Sequence, residues 1–248
     1  IKRCLLAFTC GIALFGPLVA RAEILYWGNF WGDRVGTLPD GWRKLWDGAS
    51  TASIIRNPLD RNSRNMVLAS SDLAHDESRH DVGGSIYGVG DESWTDYVVI
   101  FDALFPVDSY MGVVFRYNDE SNFYLFDRRS GPEAGNFDFW HQSGAWSRID
   151  TGRFDAQPME WHTFMLVIHG DRFEAYARTG PPDYVDGTPF MHAEPIAVGS
   201  DANLTGGAFG LYGLIYVANM VVGEEWSDLG SFVEPAGKLA TTWAALRR

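Results

Sequence analysis

The chain of 248 residues carries 32 acidic against 20 basic side chains, a net charge of −12. An acidic excess of this size repels nucleic acid and anionic membrane, whose recognition rests on clustered Lys and Arg, and no such cluster is present. The only cysteines, Cys4 and Cys10, fall in the first segment, so the rest of the chain must hold together without a disulfide.

In chain order, residues 1–22 read as a secretory signal. Lys2 and Arg3 form a basic start, Leu5 to Ala20 is mostly apolar, and Ala20-Arg21-Ala22 offers a cleavage site flanked by small residues. The apolar run is shorter than the roughly 20 residues of a spanning helix. Without these three basic residues, 17 remain against 32 acidic, a balance of −15. A cysteine-free exported domain of this size fits a bacterial source and a secreted, periplasmic or cell-surface location.

Tyr26 to Trp31 is an aromatic opening strand, and Leu38-Pro-Asp-Gly-Trp42 marks a turn. Ser53 to Arg56 and Asn65 to Ser70 are short strands, and Asp72 to Asp81 is a charged loop with His75 and His80. Trp94 to Arg128 then holds three runs rich in Val, Ile, Phe and Tyr, separated by Pro106-Val-Asp-Ser and Asn118-Asp-Glu-Ser-Asn. This is the pattern of consecutive strands joined by short turns. Phe137 to Gln142 and Ala145 to Ile149 form a hairpin across Ser143-Gly144, and Met159 to Ile168 with Arg172 to Ala177 form another across His169-Gly-Asp. After a Pro- and Gly-containing loop come strands at Ala208 to Tyr216 and Val217 to Val222. The tail, residues 228–248, has Leu239, Trp243 and Leu246 at helical spacing. The reading is one all-β domain over residues 23–227, an antiparallel β-sandwich, with a short helical C-terminal tail.

The central Gly112-Val-Val-Phe-Arg-Tyr-Asn-Asp-Glu-Ser-Asn-Phe-Tyr-Leu-Phe126 resembles the concanavalin A-like lectin/glucanase superfamily, in its laminin-G-like and thrombospondin-C-terminal-like branches. Leu38-Pro-Asp-Gly-Trp42, Trp161 to Tyr176 and Gly206-Gly-Ala-Phe-Gly-Leu-Tyr212 fit in order, so the resemblance spans about Trp27 to Val222. It implies a jelly-roll fold and leaves activity open, because this superfold hosts lectins, glycosidases and adhesion modules alike.

Alternation places Val113, Phe115 and Tyr117 on a core face, with Gly112, Val114 and Arg116 opposite. On the next strand it separates Phe123 and Leu125 from Tyr124, Phe126 and Arg128. The candidate binding face, expected on the concave sheet, is therefore Arg116, Tyr124, Phe126, Arg128, Trp140 and Tyr212. A guanidinium offers a fork of donors for vicinal hydroxyls, and a ring beside it offers a stacking plane. The alternative is that Arg116 and Arg128 pair with Asp102, Asp127 or Asp138 across strands. Trp140 and Trp146 sit near a hairpin turn, where exposure is favoured, whereas His141 and His162 read as satisfied strand-end histidines.

The resemblance also raises Ca²⁺: Asn29 and Asn219 stand where relatives often carry Asp, and Asn118 and Asp119 in the turn after the second run are further candidate ligands. A catalytic Glu-x-Asp-x-Glu strand is absent, as are His-Glu-x-x-His and a nucleophile elbow. The expected role is thus a non-catalytic module recognising a glycan or cell-surface polysaccharide. A glycoside-processing hydrolase of the laminin-G-like type and a self-assembling surface protein are the alternatives.

Overall fold

The computed structural model describes residues 23–60, 65–72, 85–180, 190 and 192–225. The expected leader, the helical tail and most of the His75/His80 loop lie outside them. Among the described residues there are fifteen strands. They are β1 (Ile24–Gly28), β2 (Arg43–Trp46), β3 (Ser53–Arg56), β4 (Met66–Ala69), β5 (Ile86–Val89), β6 (Tyr97–Leu104), β7 (Met111–Asp119) and β8 (Asn122–Arg128). After one 3₁₀ turn at Gly131–Glu133 follow β9 (Asn136–Ser143), β10 (Trp146–Arg153), β11 (Trp161–His169), β12 (Arg172–Thr179), β13 (Ala197–Ser200), β14 (Ala208–Tyr212) and β15 (Tyr216–Gly223).

They form two antiparallel sheets. The first has the order β13-β12-β11-β6-β15-β4-β3, with β1 added alongside β15; the second has the order β10-β9-β8-β7-β14-β5-β2. The all-β sandwich expected from the sequence is borne out. Strands β2, β5 and β13 were not anticipated, each being only four residues long. At one edge the sheets are tied together where the Val198 N–H donates to Asp150 Oδ2 at 3.0 Å.

Phenylalanines fill the space between the sheets. Phe115 lies 4.9 Å from Phe173, and Phe126 lies 4.8 Å from Phe139, in tilted or edge-on contacts that suit ring quadrupoles. Tyr97, Phe101, Phe137, Phe164 and Phe209 belong to the same cluster. Most of the phenylalanines are therefore core.

One irregularity sets which residues face outward on the second sheet. Arg116 adopts φ +46°, and the β7–β8 register shifts between Phe115 and Asp119. A bulge of this kind resets the alternation, because an added residue turns every following side chain to the other face. Phe115 remains in the core, while Tyr117 joins a separate cluster on the outer face with Phe123 and Leu125.

Candidate functional site

The outer face of the second sheet is best followed in rows across the strands. Asp138 on β9 sits opposite Asp127 on β8, Asp127 opposite Gly112 on β7, and Gly112 opposite Tyr212 on β14. Gly112 faces outward between Met111 and Val113, both core residues. A Cβ there would stand 2.1 Å from the Phe126 carbonyl oxygen, so glycine is required and a hollow opens between Asp127 and Tyr212. The neighbouring row carries Arg148, Trp140, Leu125 and Val114 on β10, β9, β8 and β7.

Around this hollow the side chains form a cup of about 310 Å³, lined by Tyr110, Leu125, Asp127, Arg129, Trp140, Trp146 and Tyr212. Its size lies at the lower end of the roughly 300–1,000 Å³ usual for small-ligand sites. The Trp146 ring is 43% exposed and stands edge-on to both Trp140 and Tyr212, at 6.3 Å from each. A large apolar ring is held open to solvent there by its neighbours.

Charged groups occupy one side of the cup. Asp127 is buried, with Oδ1 accepting from Trp140 Nε1 at 3.1 Å and Oδ2 from Arg129 Nη1 at 3.0 Å. The Arg129 guanidinium lies 4.2 Å from the Tyr110 ring centre and 5.0 Å from that of Trp140, and it also bonds Glu133 at 3.2 Å. Arg148 lies over the other contact of Trp140 at 4.8 Å and donates to Glu133 Oε1 at 2.8 Å. Asp138, wholly buried, has Oδ2 3.3 Å from Arg129 Nε and 3.1 Å from Arg148 Nε. Burial pushes the Asp127 carboxyl up to about 7, with the charge of Asp138 adding to it and Arg129 opposing. Burial likewise raises Asp138, whereas Glu133 is held down chiefly by its bond from Arg148.

Of the expected face, the structure brings Trp140 and Tyr212 to this cup and places the other four residues on the opposite side of the sheet. Phe115 and Val113 pair with Tyr124 and Phe126, so these rings share the core face. Tyr124 and Phe126 are buried in the central cluster, and the Tyr124 hydroxyl donates to Asp201 Oδ1 at 2.7 Å. Arg116 is 1% exposed and donates to the carbonyls of Thr95 and Leu204 at 2.9 and 2.8 Å, with Asp96 at 3.3 Å. Arg128 is bonded to the Ala156 carbonyl and to Asp108. The expectation of an outward face containing these four is corrected: directly opposed residues of β7 and β8 share a face, so the Tyr124, Phe126 and Arg128 side of β8 goes with the core-facing Val113 and Phe115, while Arg116 is turned inward at the bulge. The residues missed were Tyr110, Leu125, Asp127, Arg129 and Arg148. Their signal was the alternation of Leu125, Asp127 and Arg129 beside Asp138 and Trp140.

The candidate metal ligands are each engaged in local structure. Asn29 Oδ1 accepts from the Trp31 N–H, Asn118 donates to the Gly206 carbonyl, Asp119 accepts from Ser121 and Asn122, and buried Asn219 donates to Asp102. Among the described residues no three His, Cys, Asp or Glu side chains gather as a metal site would need. His162 is buried between Thr179 and the Gln157 carbonyl, and burial lowers its pKa, a core histidine as expected.

The fold is similar to that of a Bacillus subtilis protein of unknown function with a galectin-like fold. The TM-score is 0.51 at 11% identity, over 82% of this chain and 98% of that one. A non-specific endo-β-1,3(4)-glucanase of family GH16 aligns with a TM-score of 0.49 at 8% identity, over 82% and 91% of the two chains. The carbohydrate-binding module CBM66 of Bacillus subtilis aligns at 0.46 and 16%, over 75% and 92%. Identities this low speak for architecture alone, and the first of these matches supports a galectin-like β-sandwich. No family model and no curated protein matches the chain.

Proposed function

We propose that this chain is an exported glycan-binding module of the concanavalin A-like type, and that the cup on the outer face of the second sheet is its contact surface. The observation that carries the reading is the composition of the cup: Trp140, Trp146, Tyr110 and Tyr212 around the buried Asp127–Arg129 pair. Sugars present an apolar C–H face and a rim of hydroxyls. A ring that stays exposed beside fixed carboxylate and guanidinium groups answers both, one by stacking and the other by directed hydrogen bonds. The rings are already held by one another, so little side-chain freedom is lost on binding. The test is titration of the protein with oligosaccharides selected on a glycan array, comparing wild type with Trp140→Ala and Trp146→Ala. Loss of at least tenfold in affinity is expected of each; unchanged affinity in both removes the cup as the contact surface.

A second reading follows from Asp127 facing Asp138 across β8 and β9, since paired carboxylates with raised pKa values are the apparatus of glycoside hydrolysis. Asp138, however, is wholly buried between two guanidiniums and does not line the cup. That leaves one carboxyl lining the cup, itself buried, where hydrolysis needs two. Release of reducing ends from a bound oligosaccharide, abolished by Asp127→Asn, would establish the hydrolase instead.

A further inference from the structure

We infer that the cup selects uncharged sugars and rejects uronic and sulfated ones, with Asp127 as the residue that decides between them. The inference rests on the glycan-binding reading and adds the ligand class. Among the described residues, three carboxylates (Asp127, Glu133 and Asp138) surround the site against two guanidiniums, Arg129 and Arg148.

Neither guanidinium is available as an anion receptor. Arg129 spends Nη1 on Asp127, Nη2 on Glu133 and sits with Nε near Asp138, its faces against Tyr110 and Trp140. Arg148 is bound to Glu133 and lies beside Asp138. An arginine that recognises a carboxylate or sulfate needs two parallel N–H groups free at its edge; on Arg129 these are taken by protein carboxylates, and Arg148, with Nε and Nη2 engaged, does not line the cup.

The acidic group in the lining of the cup is the Asp127 carboxylate, at its buried floor. Each of its oxygens has one partner, Trp140 Nε1 or Arg129 Nη1, and a carboxylate oxygen accepts more than one bond. Two neighbouring hydroxyls satisfy it; an anionic substituent placed there meets a like charge with little water between them, which is costly. Gly112 fits the same scheme, since the hollow it leaves gives hydroxyl-bearing carbons close approach to that carboxylate.

The experiment uses matched probes: neutral oligosaccharides on an array, the same backbones carrying uronic acid or sulfate, and calorimetric titration of the strongest hits. The expected result is binding confined to neutral sugars, lost at least tenfold in Trp140→Ala and in Asp127→Asn. Glu133→Gln releases one donor edge of Arg148, and should raise the affinity for the uronate relative to its neutral partner by several-fold. Uronate or sulfate binding as tight as the neutral sugar, and abolished by Trp140→Ala, overturns the selection while leaving the cup as a glycan site. Binding of no glycan, or binding indifferent to Trp140→Ala, overturns both. The melting temperature of Asp127→Asn, read alongside, separates a lost contact from a lost fold.

Discussion

Arginines occur in two settings on the second sheet, one turned to the core and one beside the cup. Arg116 and Arg128 lie toward the interior, bonded to the backbone carbonyls of Thr95, Leu204 and Ala156 and to one carboxylate each, Asp96 and Asp108. Arg129 and Arg148 lie on the outer face, paired with side-chain carboxylates and laid across Trp140. The first arrangement closes a seam between strand ends and connecting loops. The second arranges charges and rings around a space that is left open. Residue type and carboxylate pairing are shared; the backbone carbonyls that hold Arg116 and Arg128 distinguish the interior pair.

The largest effect expected from disturbing this contrast is in the seam. Arg116→Ala removes a buried side chain with four bonds and leaves the Thr95 and Leu204 carbonyls without their donor. Losing a buried charged partner costs on the order of 3–5 kcal/mol. In a chain of this length that is a fall in melting temperature of roughly 10 °C. Thermal unfolding checks it, and the fraction that remains folded should bind sugar as wild type does. A fall of only a degree or two would mean that the seam does not depend on this arginine.

Gly112→Ala comes next, and it tests the hollow itself. The new Cβ has backbone as its nearest neighbour, which cannot swing aside as a flexible side chain would, so β7 and β8 must part locally. Overpacking of this kind costs about 1–3 kcal/mol. Both the melting temperature and the affinity for sugar should drop, the second by more than the stability loss explains. Retained affinity would remove the hollow from the binding site.

These comparisons also show what was legible beforehand. The alternation within each strand was readable, and the sandwich follows from it: β6, β7, β8 and the two later hairpins fall where the Val-, Ile- and Phe-rich runs lie. What alternation does not contain is the phase between neighbouring strands. Phase is set by which residues pair: Val113 with Phe126 and Phe115 with Tyr124 puts those rings in the core and brings Leu125 and Asp127 out. The inward turn of Arg116 adds a bulge whose φ of +46° no local residue announces, since Gly or Asn is the usual occupant of that conformation. Trp140 and Tyr212 are the two residues of the expected face that line the cup. The ion-pair partners escaped notice for a related reason. Arg129 and Arg148 are 19 residues apart and meet only because β9 and β10 fold back onto β8.

The smallest thermal effect, and the one with a distinctive sign, belongs to Asp127. Its carboxyl is raised to about 7, chiefly by burial, whereas in the unfolded chain it titrates near 3.8. Between these values the folded state holds a proton that the unfolded state has lost. Stability is therefore greatest below the lower value and declines as pH rises through the upper one. Asp138 contributes in the same direction. Asp127→Asn cannot ionise, so its melting temperature relative to wild type should improve by a few degrees on going from pH 5 to pH 8. Binding should respond oppositely in the wild type. Sugar hydroxyls donate to the ionised carboxylate, so affinity should strengthen several-fold from pH 6 to pH 8 while the fold itself weakens. Parallel trends in stability and affinity would mean that Asp127 meets the ligand as a neutral acid, donating a proton rather than accepting one. The choice of uncharged sugars would then need another cause.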